Sequence, residues 1–159
     1  MYPSSPYILF RMKYILVALL PIICLAVPLP DILPSLPQLR KVQSTAVKGK
    51  LLCDGKGYEK ARLKLYEIDP IKDTLMAEGL TNAEGEFELS GNDTEWTKID
   101  PKLNIYHNCH DEAIECWRKV EIVIPDDFIT EGANPAKTFD IGILNINAVL
   151  PGESRDCLN

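Results

Sequence analysis

The chain has 159 residues, of which 17 are basic and 23 acidic, so its net charge at pH 7 is −6. This acidity argues against nucleic acid or an anionic membrane surface as a purely electrostatic partner. The chain contains five cysteines. Disulfide bonds are typical of exported proteins, so the N-terminus is inspected for a secretory signal.

The N-terminus is typical of a secretory leader. Arg11 and Lys13 precede an apolar run over residues 14–27. A membrane-spanning helix needs about 20 apolar residues, and this run is shorter and contains Pro21. We therefore favour a cleaved leader over the alternative of an uncleaved signal anchor.

Cleavage is expected after Ala26, because small residues occupy the two positions, 24 and 26, that a signal peptidase reads. Residues 1–26 are thus interpreted as a signal peptide, with Met12 as an alternative start. The remaining chain keeps 15 basic and 23 acidic residues, a net charge of −8. It is expected to be secreted to the extracellular region, without stable membrane insertion after leader removal.

Residues 27–43 contain four prolines, spaced too closely for a helix or a strand. We interpret this segment as an extended tether. A short pro-segment or a partner-binding proline motif is the alternative. The globular domain is expected over residues 44–159.

The domain has the alternation of apolar and polar residues that predicts strands, with at most one short helical turn at 93–99. The predicted strands lie in residues 47–53, 61–66, 75–80, 87–89, 102–109, 117–124 and 139–150. Strands that each bury one apolar face predict an all-β fold, a small antiparallel two-sheet sandwich.

Three local features refine the strand prediction. Residues 54–57 form a turn, and residues 82–85 predict a hairpin between the strands on either side, with Gly85 in the left-handed conformation. The apolar phase slips between Ile143 and Leu144, which predicts a β-bulge or a change of sheet.

Four cysteines remain after leader removal: Cys53, Cys109, Cys116 and Cys157. An even number in an exported chain predicts two disulfides, for which three pairings are possible. Cys109 ends one predicted strand and Cys116 begins the next, so proximity in a hairpin favours Cys109 with Cys116. Cys53 would then pair with Cys157.

Together these motifs resemble the nematode transthyretin-like family. The resemblance covers residues 44–159 and rests on Val47-x-Gly49, Leu51-Leu52-Cys53, Leu63-x-Leu65-Tyr66, Glu84-Gly85-Glu86-Phe87, Asp100-Pro101, Ile105-Tyr106-His107-Asn108-Cys109, Cys116, Phe139-Asp140-Ile141-Gly142 and Arg155-Asp156-Cys157. It implies a secreted prealbumin-like sandwich without assigned chemistry, which acts as an extracellular carrier or as a bridging and signalling module.

The same superfamily includes 5-hydroxyisourate hydrolase, so an enzyme is the alternative. That enzyme has a histidine near the start of its first strand and a C-terminal Tyr-Arg-Gly-Ser motif. This first strand has no histidine, and the chain ends in residues 155–159, Arg-Asp-Cys-Leu-Asn. The hydrolase residues therefore have no matching positions, and the thyroid-hormone channel of transthyretin itself has no motif here.

Catalytic, cofactor and metal sites are not expected. His107 and His110 lie near Asp111 and Glu112, but these residues lack a recognised ligand spacing, and a disulfide-bonded Cys109 is neither a thiolate ligand nor a nucleophile. Serines with no histidine or Gly-x-Ser-x-Gly context are Ser44, Ser90 and Ser154. Acids interpreted as a solvated face are Asp54, Glu84, Glu86, Glu88, Asp93 and Glu95.

Two surface features remain. Asn92 begins an Asn-Asp-Thr sequon that we place in a Gly-rich turn and expect to be glycosylated. Trp96, Trp117 and Tyr106 form either an exposed binding patch or, as aromatic residues more often do, part of the packing.

The sequence thus favours a secreted, non-catalytic binding, carrier or signalling module, whose partner is an extracellular protein or an apolar small ligand. A hydrolase and a purely structural extracellular component are the alternatives. A concave polar cluster of His107 and Arg118 at one mouth of the sandwich would favour chemistry, whereas an apolar slot would favour carriage.

Overall fold

A computed structural model describes residues 40–158. The leader, the alternative start at Met12, the cleavage position and most of the proline-rich segment lie outside the described residues. Within them, ten strands are formed: β1 (Lys41–Cys53), β2 (Lys56–Gly57), β3 (Arg62–Glu67), β4 (Thr74–Leu80), β5 (Glu86–Glu95), β6 (Pro101–His107), β7 (Trp117–Val123), β8 (Thr130–Glu131), β9 (Thr138–Asn145) and β10 (Ser154–Asp156). A single 3₁₀ turn, Asp126–Phe128, follows β7 in this part of the chain.

The strands form two five-stranded sheets, which confirms the predicted sandwich. The β1 sheet has β5 and β2 on one side of β1, and β8 and β9 also pair with β1. The β6 sheet has the order β10-β7-β6-β3-β4. All pairs are antiparallel except β1 with β9, which is parallel. Inward-facing residues of both sheets form the core: Val47, Leu51, Leu63, Leu65, Phe87, Leu103, Ile105, Val120, Ile124 and Ile146.

The first strand starts earlier than its sequence pattern indicates. β1 begins at Lys41, so residues 41–43 belong to a strand that pairs with β5 from Lys41↔Glu95 onward. It ends in the tight turn expected at residues 54–57, where Asp54 and Gly55 both have positive φ. This turn places Asp54 at one end of the sandwich.

The predicted hairpin across residues 82–85 is wrong. Gly85 does take the left-handed conformation, with φ 79°. However, β4 pairs with β3 in one sheet, and β5 pairs with β1 in the other. The turn is a corner between the sheets, because β4 and β5 pack face to face: a Cβ on Gly79 would lie 2.8 Å from Cδ2 of Leu89.

The predicted disulfide pairing is also wrong. The bridges are Cys53–Cys109, with Cα atoms 6.1 Å apart, and Cys116–Cys157, with Cα atoms 4.1 Å apart. The hairpin that was predicted to carry a bridge does form, because β6 and β7 pair as far as His107↔Arg118. Two more steps on each strand would place Cys109 opposite Cys116.

The chain departs from that ladder for two reasons. After β6, the backbone N–H of Asn108 donates to the hydroxyl of Tyr58 (2.9 Å), and His110 turns the chain with φ 62°. Cys109 is thereby buried against β1, next to Cys53. Meanwhile β10 pairs with β7 through Asp156↔Trp117, so the following residue, Cys157, lies opposite Cys116.

Two further predictions change position. The irregularity expected between Ile143 and Leu144 is a bulge, but it lies one step earlier, where Gly142 has φ 70° and the β1–β9 register shifts. Asn92 is in strand β5 and not in a turn, since it pairs with Ser44. Its side chain is exposed, as a used sequon requires.

The short helical turn expected at residues 93–99 is not formed. Strand β5 continues to Glu95, and residues 96–99 are not helical.

Candidate functional site

The polar residues that the sequence singled out gather at one end of the sandwich. His107 and Arg118 are register partners on β6 and β7 and both are buried. They do not line an open cavity, because the loop that contains Cys109 and the segment that follows β9 cover both side chains. The arrangement expected of an open catalytic cluster is therefore not formed at these two residues.

Arg118 joins three parts of the chain. Its guanidinium donates to both carboxylate oxygens of Glu153, at 2.6 and 2.9 Å. It also donates to the backbone carbonyls of Cys109 (2.9 Å) and Ala148 (2.8 Å). The hydrogen bonds with Arg118 hold the pKa of Glu153 below its usual range, so this is a buried ion pair with a structural role.

His107 is fully buried beside this pair. Neither ring nitrogen has a hydrogen-bond partner among the described residues, and the edge of the ring meets Tyr58. Burial, together with the positive charge of Arg118, lowers the pKa of His107 to about 4. The imidazole is therefore neutral at physiological pH and does not reach solvent.

His110 lies three residues further on, at the surface, and does not contact His107. Its Nε2 is 3.0 Å from Oδ1 of Asp54, and the same Oδ1 accepts a 2.7 Å hydrogen bond from the side chain of Asn147. Asp111 forms an ion pair with Arg155. The contacts of Asp54 with His110 and Asn147 were not predicted, because in the sequence only the turn at residues 54–57 indicates that Asp54 occupies an end of the sandwich.

The three aromatic residues do not form one patch. Tyr106 is 2% exposed and packs on the β6 sheet, under the ammonium of Lys64. Trp117 is half-buried on β7, whereas Trp96 follows β5 of the other sheet and is exposed. The packing interpretation is the correct one for Tyr106.

An open groove of about 640 Å³ crosses the β1 sheet. We call it the cross-strand groove; its lining residues are Lys48, Gly49, Lys50, Leu80, Asn82, Glu86, Phe87, Glu88, Asp140, Gly142 and Ile143. Charged residues cross it in two rows. Lys48 pairs in register with Glu88 on β5 and Asp140 on β9, and Lys50 pairs with Glu86 on β5 and Ile143 on β9.

The bulge in β9 shapes this groove. Asp140 accepts a hydrogen bond from the N–H of Gly142 (2.8 Å), and the positive φ of Gly142 changes the phase of the strand. Ile143 is consequently 69% exposed at the groove, although Leu144 beside it packs on the core. The groove therefore combines lysines, carboxylates and an exposed aliphatic side chain.

No helix among residues 40–158 is long and apolar enough to cross a membrane.

The fold and these sites define a small β-sandwich domain with two disulfides, a sealed polar end and an open groove on one sheet.

The model of the family described as "TTR-52: Transthyretin-like family" matches residues 48–125. Three relatives, all from Caenorhabditis elegans, are similar over most of the domain. Transthyretin-like protein 5 is 47% identical over 119 residues, which cover 74% of this chain and 86% of that protein. Transthyretin-like protein 33 is 45% identical over 119 residues, 74% of this chain and 83% of that protein. Transthyretin-like protein 2 is 36% identical over 132 residues, 79% of this chain and 89% of that protein.

The chain belongs to the transthyretin-like family. The resemblance noted in its sequence is thereby confirmed.

Proposed function

We propose that this chain is a secreted, non-catalytic extracellular binding module and that the cross-strand groove binds a segment of a protein partner. The observation that carries the proposal is the composition of the groove. Its two rows alternate carboxylate, ammonium and carboxylate, or aliphatic, ammonium and carboxylate, across three strands. Such a surface complements a peptide with charges of both signs better than an apolar small molecule.

The sealed end of the sandwich supports binding over catalysis. A general base must reach its substrate within hydrogen-bond distance. His107 is 0% exposed, and Arg118 already donates to Glu153 and to backbone carbonyls. In this conformation both side chains stabilise the fold and neither is free to contact a substrate.

The groove is suited to a protein partner in a second respect. Two exposed aliphatic side chains in its lining, Leu80 (59%) and Ile143 (69%), offer apolar anchor points beside the charges. Interfaces commonly combine such anchors with a polar surround. The charged rows would then fix orientation and register.

The test is affinity capture from native extracellular fluid with both disulfides intact. Wild type is compared with the groove variant Lys48→Glu/Ile143→Asp. The matched control is Lys41→Glu/Val123→Asp, which makes the same changes of charge and polarity at exposed positions that do not line the groove.

We expect a protein that wild type and the control retain and the groove variant loses. Two results would contradict the proposal: retention of the same proteins by the groove variant, or capture of an apolar small molecule in place of a protein. Bound proteins and lipids are both identified by mass spectrometry.

A further inference from the structure

The corner at which the Cys53–Cys109 bridge joins the two sheets holds the donor atoms of a metal site. Both Sγ atoms and a ring nitrogen of His110 lie within 4.8 Å of one another. They are the only group of three or more histidine, cysteine and acidic side chains, within residues 40–158, that is close enough to share an ion. In the oxidised protein the two sulfur atoms are bonded to each other and are not thiolate ligands.

A carboxylate lies beside the histidine of this group. Oδ1 of Asp54 is 3.0 Å from Nε2 of His110. In a tetrahedral zinc site the bonds are about 2.0–2.3 Å, so donor atoms lie roughly 3.3–3.8 Å apart. Separation of the two sulfur atoms after reduction would bring the two thiolates and a ring nitrogen of His110 to that spacing, and a water molecule would complete the tetrahedron.

Asn147 holds the aspartate in place. It donates to Oδ1 of Asp54 (2.7 Å), and its own Oδ1 accepts from the backbone N–H of Asp54 (2.6 Å). Asp54 and His110 both have left-handed backbone conformations, φ 53° and 62°, at the tips of their turns. A carboxylate that is hydrogen-bonded to a ligand histidine, and is itself held in place, is a regular feature of metal sites.

We propose that reduction of the Cys53–Cys109 disulfide by a thiol reductant converts this corner into a Zn²⁺ site formed by Cys53, Cys109 and His110, with Asp54 orienting the His110 ring. The S–S bond breaks and takes up two electrons and two protons from two reductant thiol groups, which leave as a disulfide. Each cysteine thiol then releases its proton to water as it coordinates the ion. The zinc ion itself undergoes no redox change.

This exchange preserves the connection between the sheets. Cys53 ends β1 and Cys109 follows β6, so a shared ion links the same two segments that the disulfide links. The second bridge, Cys116–Cys157, belongs to no such donor group in the described part of the chain. It therefore provides an internal control.

The first experiment uses the wild-type secreted chain, reduced with a phosphine, which competes weakly for zinc. One equivalent of Zn²⁺ is added, the thiols are alkylated briefly, and the modified cysteines are identified by peptide mass spectrometry. We expect Zn²⁺ to slow alkylation of Cys53 and Cys109 at least tenfold and to leave Cys116 and Cys157 unchanged. Equal protection of all four cysteines, or protection of none, would overturn the proposal.

The second experiment measures the ligands directly with Co²⁺ as a spectroscopic probe. The reduced Cys116→Ser/Cys157→Ser protein should bind one Co²⁺ with thiolate charge-transfer absorption. His110→Ala should weaken binding at least tenfold, and Asn147→Ala about tenfold as the loss of an orienting partner. Glu115→Gln, at an exposed acid in the same loop, is the control. Equal affinity in the His110→Ala and Glu115→Gln proteins would show that His110 is not a ligand and would refute the site.

Discussion

His107 and Glu67 are two buried ionisable residues that affect stability with opposite dependence on pH. His107 is 0% exposed and its pKa is lowered to about 4, mainly by burial. Glu67 is 3% exposed and burial raises its pKa to about 7, although its carboxylate accepts a hydrogen bond from the N–H of Asp100 (2.8 Å).

The sign of each effect follows from proton linkage. The pKa of His107 is lower in the folded than in the unfolded state, so its contribution is complete above about pH 6.5 and is lost as the pH falls through 4. The pKa of Glu67 is raised, so its contribution is complete below about pH 4.5 and is lost as the pH rises through 7. Between these limits the two effects oppose each other.

Single variants should separate them. His107→Leu leaves the Glu67 effect, so its free energy of unfolding should decrease as the pH rises from about 4.5 to 7. Glu67→Gln leaves the His107 effect, so its free energy of unfolding should increase as the pH rises from about 4 to 6.5. A pKa shift of this size corresponds to about 3 kcal/mol in each case. Urea unfolding across this pH range measures both, and a His107→Leu profile that parallels wild type would contradict the assignment.

Arg118 should be the charged residue whose loss is most costly. Arg118→Met leaves the carboxylate of Glu153 buried without its partner, and breaking a buried pair typically costs about 3–5 kcal/mol. The matched control is Lys41→Met, which breaks the exposed Lys41–Glu131 pair and should cost no more than about 1 kcal/mol. Chemical denaturation at pH 7 compares the two. If both variants lost only a small and similar free energy of unfolding, the hydrogen bonds of Arg118 would not be a major source of stability.

At the scale of the element, two left-handed glycines should respond differently to alanine. A Cβ on Gly142 meets no atom within 4 Å, so Gly142→Ala adds only backbone strain of about 1 kcal/mol. A Cβ on Gly85 would collide with the carbonyl oxygen of Leu51, which belongs to the neighbouring strand. Gly85→Ala should therefore cost more than about 2 kcal/mol. Thermal unfolding of both variants tests whether Gly85→Ala destabilises the protein more than Gly142→Ala does. Equal losses of stability would contradict the prediction.

The two disulfides should contribute nearly equally through chain entropy. They close loops with sequence separations of 56 and 41 residues, and each loop corresponds to about 4 kcal/mol. Cys109 is also part of the core, whereas Cys157 is exposed. We expect Cys53→Ala/Cys109→Ala to destabilise by about 1 kcal/mol more than Cys116→Ala/Cys157→Ala, owing to lost packing.

Peptide mapping without reduction must first recover the Cys53–Cys109 and Cys116–Cys157 peptides. Urea unfolding of the two double variants then gives the difference. A larger loss for the Cys116 and Cys157 pair would mean that the C-terminal strand, and not the connection between the sheets, limits stability.

At the scale of the whole molecule, the proposed export predicts two covalent features of the mature protein. N-terminal sequencing should begin near Val27, because the leader is expected to be cleaved after Ala26. Treatment with a glycosidase should lower the apparent mass, because Asn92 is exposed on β5, which lies at the edge of its sheet.

Asn92→Gln is the control, since it should remove the mass change and leave secretion intact. An intact residue 1 on a membrane-bound protein would overturn the export prediction. An unchanged mass after treatment of the wild type would show that the sequon is unused.

The amino-acid sequence by itself indicated seven of the ten strands and the class of fold, whereas the short strands β2, β8 and β10 were not predicted. Alternation in β3 places Leu63 and Leu65 on one face and Lys64 on the other, and this pattern is a local property that burial of one face requires. The glycine turn at residue 85 and the phase slip in β9 are local in the same sense. Both were therefore readable in the sequence, to within a residue or two.

Only the tertiary structure decided which segments meet. Cys109 and Cys116 flank one hairpin, yet each bonds to a cysteine from a distant strand, because the turn at His110 and the pairing of β10 with β7 set their positions. His107 and His110 are three residues apart, yet one is sealed in the core and the other contacts Asp54. The charged rows of the cross-strand groove likewise form only when β1, β5 and β9 pair in register, so the sequence of a single strand does not predict them. Contacts between residues far apart in sequence depend on the free energy of the whole packed sandwich, which local patterns do not specify.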